Sequence, residues 1–169
     1  MAKADVKIVQ SPYDNHPTRS FPVIKWSTTS EDAVIYPGEP VKLGSNNDAI
    51  ILDDGDPLIG TDTMLGIAAS ESDASESADG TVDVYLPMPG TVFRCAANTG
   101  SNLAAGILYD SVTFDVSGSA AAGWTFTVDE NEGSDPDVHG LIIVDYDADE
   151  DTVDFMFNIN ATILSPMVA

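Results

Sequence analysis

The amino-acid sequence predicts an all-β protein, a small antiparallel β-barrel or sandwich of hairpins with an extended N-terminal arm. Three observations carry that reading. Apolar residues recur at every second position in several short segments, the period of a strand with one buried face. Those segments are separated by turn-forming residues, and the chain holds 13 glycines and 10 prolines to supply them. No stretch of useful length carries the i, i+3, i+4 apolar stripe of an amphipathic helix.

Residues 1–32 read as the arm. Pro12, Pro17 and Pro22 interrupt any regular element there, and Tyr13, Phe21 and Trp26 stand among polar residues without strand or helix periodicity. Aromatic side chains on such a segment suit docking onto a partner, so these three are the candidate docking residues; the alternative is that the arm wraps its own domain. Residues 33–169 read as a single β-domain. Its first candidate strands are 33–36, 40–44, 49–53, 64–69, 81–86 and 91–96. Val112, Phe114 and Val116 then alternate with Thr113, Asp115 and Ser117. Beyond a small-residue turn at 118–123, Trp124, Phe126 and Val128 alternate with Thr125, Thr127 and Asp129, which makes a hairpin with Trp124 facing the core. Residues 140–147 form another strand. In the last, Val153, Phe155, Phe157 and Ile159 face one way and Asp154, Met156, Asn158 and Asn160 the other. The chain also echoes itself: Gly66-Ile67-Ala68-Ala69 leads through an acidic turn to Thr81-Val82-Asp83-Val84-Tyr85. Likewise Gly140-Leu141-Ile142-Ile143 leads to Thr152-Val153-Asp154-Phe155-Met156, so a repeated β-unit is expected.

Charge is distributed unevenly along the chain. The first 42 residues hold five acids (Asp5, Asp14, Glu31, Asp32, Glu39) and five bases (Lys3, Lys7, Arg19, Lys25, Lys42). Everything after residue 42 carries one base, Arg94, and the whole net charge of −22. Such a surface repels nucleic acid and anionic membranes; the expected partner is another protein, or the acidity serves solubility at high particle density or high salt. Apolar content of 43% is enough for a folded core. No apolar run approaches the ~20 residues needed to cross a bilayer. Residues 1–7 lack a hydrophobic signal region, and Cys95 is the single cysteine, so folding in a reducing cytoplasm is expected.

Residues that could carry chemistry are few, and no catalytic, cofactor-binding or metal-ligating set is expected. His16 and His139 have no partner at zinc-ligand spacing, and each reads as a solvated turn histidine. No GxSxG elbow, phosphate-binding loop or dinucleotide fingerprint occurs. Cys95 lies in an apolar run where alternation sends it and Arg94 to opposite faces, so it reads as a buried structural thiol. Asp53-Asp54-Gly55-Asp56 and the alternating Asp145, Asp147, Asp149 and Asp151 read as solvated hairpin tips. The second set departs from a calcium loop where that loop is specific, with Glu150 in place of the turn glycine and Met156 in place of the bidentate glutamate. Gly140-Leu141-Ile142-Ile143-Val144-Asp145-Tyr146-Asp147 resembles a motif of the dUTPase family. That family's serine-bearing phosphate motif and glycine-rich C-terminal arm are missing, and one base is poor provision for a triphosphate.

Residues 36–97 resemble the head-decoration (cement) proteins of tailed bacteriophages, the lambda-like group. The carrying residues are Tyr36-Pro37-Gly38-Glu39-Pro40-Val41-Lys42-Leu43, Met64-Leu65-Gly66-Ile67-Ala68-Ala69, Asp79-Gly80-Thr81-Val82-Asp83-Val84-Tyr85 and Gly90-Thr91-Val92-Phe93-Arg94. The chain departs from the smallest members in its long leader and in the hairpins after residue 110. The resemblance implies a non-enzymatic protein, made in the host cytoplasm, that joins the outer capsid surface of the virion. There it would bind the major capsid protein as a homotrimer and clamp neighbouring subunits, with no cofactor. The alternative is another virion or surface β-module, such as a head fibre, tail component or carbohydrate-binding domain, with Tyr109, Trp124 and Tyr146 as candidates for its exposed aromatics, although alternation places Trp124 in the core.

Overall fold

Alternation decides the second half of the chain, and the computed structural model shows how. It describes residues 6–25, 34–52, 54–75, 77–119, 123–131 and 138–164. Eleven strands form among these: β1 (Lys7–Gln10), β2 (Thr18–Val23), β3 (Pro40–Leu43), β4 (Ala49–Ile51), β5 (Met64–Ala68), β6 (Gly80–Tyr85), β7 (Val92–Ala96), β8 (Ser111–Ser119), β9 (Gly123–Asp129), β10 (Leu141–Asp147) and β11 (Thr152–Phe157). The helical segments are short 3-10 turns. Two antiparallel sheets result, one ordered β1-β7-β11-β10-β8-β9 and the other β2-β6-β5-β3-β4. The fold is all-β, with the two-sheet architecture of a sandwich.

The six-stranded sheet encloses the larger core. Phe93, Phe114 and Phe155 are fully buried, and their rings meet at centroid distances of 5.9 Å (Phe93 to Phe155) and 5.4 Å (Phe114 to Phe155). Such pairs add stability beyond the area they remove from water. This sheet curls until the end of β7 reaches β9, where Ala97 bridges Val128 and the Cys95 Sγ donates to the Phe126 carbonyl at 3.3 Å. Cys95 is therefore a core residue, with Arg94 on the opposite face.

In β5 every residue is buried. Met64 and Ile67 join the core under the six-stranded sheet, while Leu65 and Ala68 join a second core with Phe21, Val23, Val41, Val82 and Val84. A strand covered on both faces reads as a continuous apolar run. Gly66 in its middle has φ +138°, and a side chain there would run into the Tyr85 carbonyl. That close approach requires glycine.

The internal echo corresponds to two antiparallel pairs, one in each sheet. Ile67 faces Tyr85 in β5–β6, whereas Leu141 faces Phe157 in β10–β11, so the registers differ by one residue. In both pairs the alternate residues Val82 and Val84, or Val153 and Phe155, point into a core.

Three expectations need correcting. Residues 6–25 do not stand apart as an arm: β1 pairs with β7 and β2 with β6, so they form an edge of each sheet. Residues 34–36 form no strand; Ile35 is held instead by its N–H to the Ser72 hydroxyl (3.1 Å) and by its carbonyl, which accepts the Ser72 N–H (2.8 Å). The last strand stops at Phe157, because Asn158 accepts the Asn160 N–H and starts a 3-10 turn.

Candidate binding surfaces

The N-terminal segment crosses from one sheet to the other. Its turn is fixed by His16, whose Nε2 lies 2.7 Å from the Leu86 carbonyl and whose Nδ1 lies 3.1 Å from the Ser11 hydroxyl. The imidazole packs edge-on against Tyr85 and Phe93. His139 is likewise no solvated turn residue: it is buried, with Nδ1 3.0 Å from the Ser111 carbonyl. Both histidines serve packing, because a ring with satisfied nitrogens can be buried cheaply.

Of the three docking candidates, Tyr13 is exposed on the turn between β1 and β2. Phe21 is not available to a partner. It points into the second core, 6% exposed, with the Arg19 guanidinium 5.3 Å from its ring centroid. Trp26 lies outside the described residues. The segment nevertheless presents Val9, Tyr13 and Ile24, three of the five large hydrophobic residues exposed among the described residues; Tyr109 and Val138 are the others. It also presents Lys7, Arg19 and Lys25, none of which makes an ion pair among the described residues.

Elsewhere the described cations are committed. Arg94 grips Asp154 with two hydrogen bonds, Nε to Oδ1 at 2.6 Å and a second from its terminal nitrogen to Oδ2 at 2.9 Å, directly across β7 and β11. Lys42 is half-buried between Asp56 and Asp62, at 3.2 Å from the latter. The 53–56 turn is therefore only partly the solvated tip that its composition suggests. Asp54 is exposed and accepts the Val116 N–H at 3.0 Å, but Asp56 is buried as one half of an ion pair. Burial pushes the Asp56 carboxyl up to about 6, and Lys42 opposes that rise. Burial acts on Asp62 too, yet the Leu58 N–H, Asp56 and Lys42 together hold it below the usual carboxylate range. Asp147 in the other acidic turn accepts the N–H groups of Asp149 and Glu150, which closes the β10–β11 hairpin. Among the described residues no cluster of His, Cys, Asp and Glu is arranged to hold a metal ion.

A cavity of about 430 Å³ opens where the two sheets part, between the β3–β4 turn and β8–β9. Its walls include Ile24, Ile50, Val116 and the indole of Trp124, with Asp48 at one side and Asn46 at the rim. Trp124 is half-buried rather than enclosed in the core. Its Nε1 and the Asp48 Oδ1 are both buried and lack a hydrogen-bond partner. Asp48 was not visible as a site residue in the sequence, because nothing in Gly44-Ser45-Asn46-Asn47-Asp48 distinguishes it from an ordinary polar turn. Tyr109 is exposed at φ +70°, and Tyr146 packs against the larger core, so the three aromatics do not share one face.

No protein-family model, curated protein or solved structure matches this chain.

Proposed function

We propose that the protein is a capsid decoration protein, which binds the outer surface of a tailed-phage head as a homotrimer and bridges neighbouring copies of the major capsid protein. The observation that carries this reading is the polarity of its surface. Lys7, Arg19 and Lys25, together with Val9, Tyr13 and Ile24, gather on residues 6–25, while the net charge of −22 belongs to the chain after residue 42. Apolar, cation-bearing edges, one on each sheet, on an otherwise acidic body provide docking surfaces and leave a repulsive remainder. The outward charge keeps decorated particles apart. Succession of the motifs in residues 36–97 supports the same reading.

This assignment revises the docking set. Tyr13 stays, Phe21 leaves because it is core, and Val9, Ile24, Lys7 and Arg19 join. The test is co-sedimentation of purified protein with expanded capsid shells. The intact protein pellets with shells and raises their resistance to heat, since a ligand of the assembled state stabilises it. A Tyr13→Ala, Arg19→Glu variant stays folded and fails to pellet. Intact protein that remains in the supernatant at every shell concentration refutes the proposal.

A further inference from the structure

We infer that Lys42, Asp56 and Asp62 form a site of self-modification, at which the Lys42 amine condenses with the Asp56 side chain into an amide cross-link while Asp62 accepts a proton. The three residues come from separate stretches of chain. Lys42 lies on β3, Asp56 follows β4 and Asp62 precedes β5. The Lys42 Nζ contacts the Asp56 Oδ2 and lies 3.2 Å from the Asp62 Oδ1. A nitrogen touching Oδ2 is one carbon–oxygen bond away from Cγ, close to the separation of about 3–3.5 Å from which bonds form. Both acids are held in place. The Asp56 carbonyl accepts the Phe114 N–H of β8 at 2.8 Å, and the Asp62 Oδ2 accepts the Leu58 N–H at 2.9 Å. The side chains of Lys42, Asp56 and Asp62 are 12%, 11% and 8% exposed, so little water competes for the reacting atoms.

Environment gives the two acids different roles. Burial raises the Asp56 carboxyl, and the hydrogen bond it shares with Asp62 adds to the rise, whereas that same bond helps to hold Asp62 low. Asp56 is therefore the protonated, electrophilic carboxyl and Asp62 the base. Asp62 takes one proton from the Lys42 ammonium, and the neutral nitrogen attacks Cγ of Asp56. The nitrogen–carbon bond forms, one carbon–oxygen bond of Asp56 breaks, and the departing hydroxyl leaves as water with a second proton from the nitrogen. Asp62 then returns its proton to solvent. Nothing is oxidised or reduced, and no co-reactant is needed. The ion pair described above is the state before condensation. Its conversion to a neutral amide removes two charges that are costly to bury. The bond also ties β3 to the segment that pairs with β8, in a chain whose single cysteine allows no internal disulfide. This chemistry does not depend on the capsid reading.

The experiment holds the purified intact protein near pH 6, where Asp56 is part-protonated, and follows its mass after denaturation. Lys42→Arg is the reference, because a guanidinium does not act as the nucleophile. The wild type should lose the mass of one water and the variant should not. A tryptic digest locates the change, since Lys25, Lys42 and Arg94 are successive cleavage points. The cross-linked chain resists cleavage at Lys42 and yields residues 26–94 as one peptide lacking a water. An unmodified chain yields 26–42 and 43–94. Ring closure at Asp54-Gly55 or Asp79-Gly80 also expels water, but it leaves Lys42 cleavable. Asp62→Asn, checked for folding by circular dichroism, should slow the conversion by about 100-fold or more. If that variant does not fold, the wild-type mass and digest decide. The inference is overturned if the wild type keeps its full mass, if trypsin still releases 26–42 from the protein that lost water, or if folded Asp62→Asn converts as fast as the wild type.

Discussion

Glu39 provides the sharpest quantitative test of how this fold handles charge. It sits in the Tyr36-Pro37-Gly38-Glu39 turn, where Gly38 at φ +89° follows Pro37 and Glu39 returns its N–H to the Tyr36 carbonyl at 3.1 Å. Its side chain is fully buried. Oε2 accepts the Tyr36 N–H at 2.8 Å, and Oε1 has no partner. Burial pushes the carboxyl from 4.5 up to about 7, with the Tyr36 hydrogen bond opposing the rise. A group whose folded pKa is raised binds its proton more tightly in the folded chain. Its contribution is therefore most favourable below pH 4.5, is lost as pH rises from there to about 7, and stays lost above. The difference between the two values corresponds to about 3 kcal/mol. Glu39→Gln removes this titration and keeps an acceptor for the Tyr36 N–H. Urea denaturation of both proteins across pH 4.5–8 should show the variant gaining on the wild type by up to about 3 kcal/mol at the alkaline end, a Tm gain of roughly 6–12 °C. Comparing the two at each pH cancels the repulsion among the remaining carboxylates. A difference that stays flat with pH, or moves in the opposite direction, refutes the argument.

The ion-paired lysine gives a second pH-linked outcome. Lys42→Met leaves the Asp56 and Asp62 carboxylates together without their cation, so a loss of about 3–5 kcal/mol is expected at pH 8 in denaturant melts, shrinking as pH falls, already above pH 6, because Asp56 without Lys42 to oppose its burial takes up a proton more readily than in the wild type. Gly66→Ala forces a side chain against the Tyr85 carbonyl at a φ that disfavours one, and the far-UV circular dichroism of the variant should show a strongly destabilised or unfolded chain. Deleting residues 1–25 removes Val6, Phe21 and Val23 from the two cores and bares β6 and β7. The truncated chain should lack a cooperative thermal transition, because losing a buried Phe alone costs about 3–5 kcal/mol.

Much of the fold was legible because β6, β8, β9 and β11 alternate apolar with polar residues, so each of these strands announced its buried face. The N-terminal strands gave no such signal. β1 buries almost nothing, and β2 turns only Phe21 and Val23 inward around Pro22, which reads as a breaker. On an edge strand proline is tolerated, and only the tertiary pairing with β6 shows that Thr18–Val23 is one. The acidic turn at 53–56 misled for a related reason: composition cannot show that Lys42, 14 residues before Asp56, returns to meet it. For Trp124 alternation gave the side of the strand but not what lies at the tip of the ring, where the core gives way to a cavity. The exposed edge was half legible, since Tyr13 was named for its context and Phe21 was misassigned for the same context.

The placement of residues 6–25 gives the charge boundary a physical role. On the proposed docking reading, repulsion among like charges acts over a Debye length of about 8 Å at physiological salt, so an acidic shell is held off by most of this body. The exception is the two sheet edges, where β1 carries Lys7 and Val9 and β2 carries Arg19, with Tyr13 in the turn between them and Ile24 and Lys25 just after β2. Apolar contact acts only at short range, and there the long-range penalty is smallest. On that reading the protein is oriented before it touches, and orientation is set by where attraction is permitted rather than by a strong attractive field. Building those edges from strands also removes a cost that a free arm would carry, because the backbone is already ordered by its pairing with β6 and β7. Along β2, Phe21 and Val23 point inward and hold the strand in place, while Arg19, on the same side two residues before Phe21, is exposed with its guanidinium over the Phe21 ring.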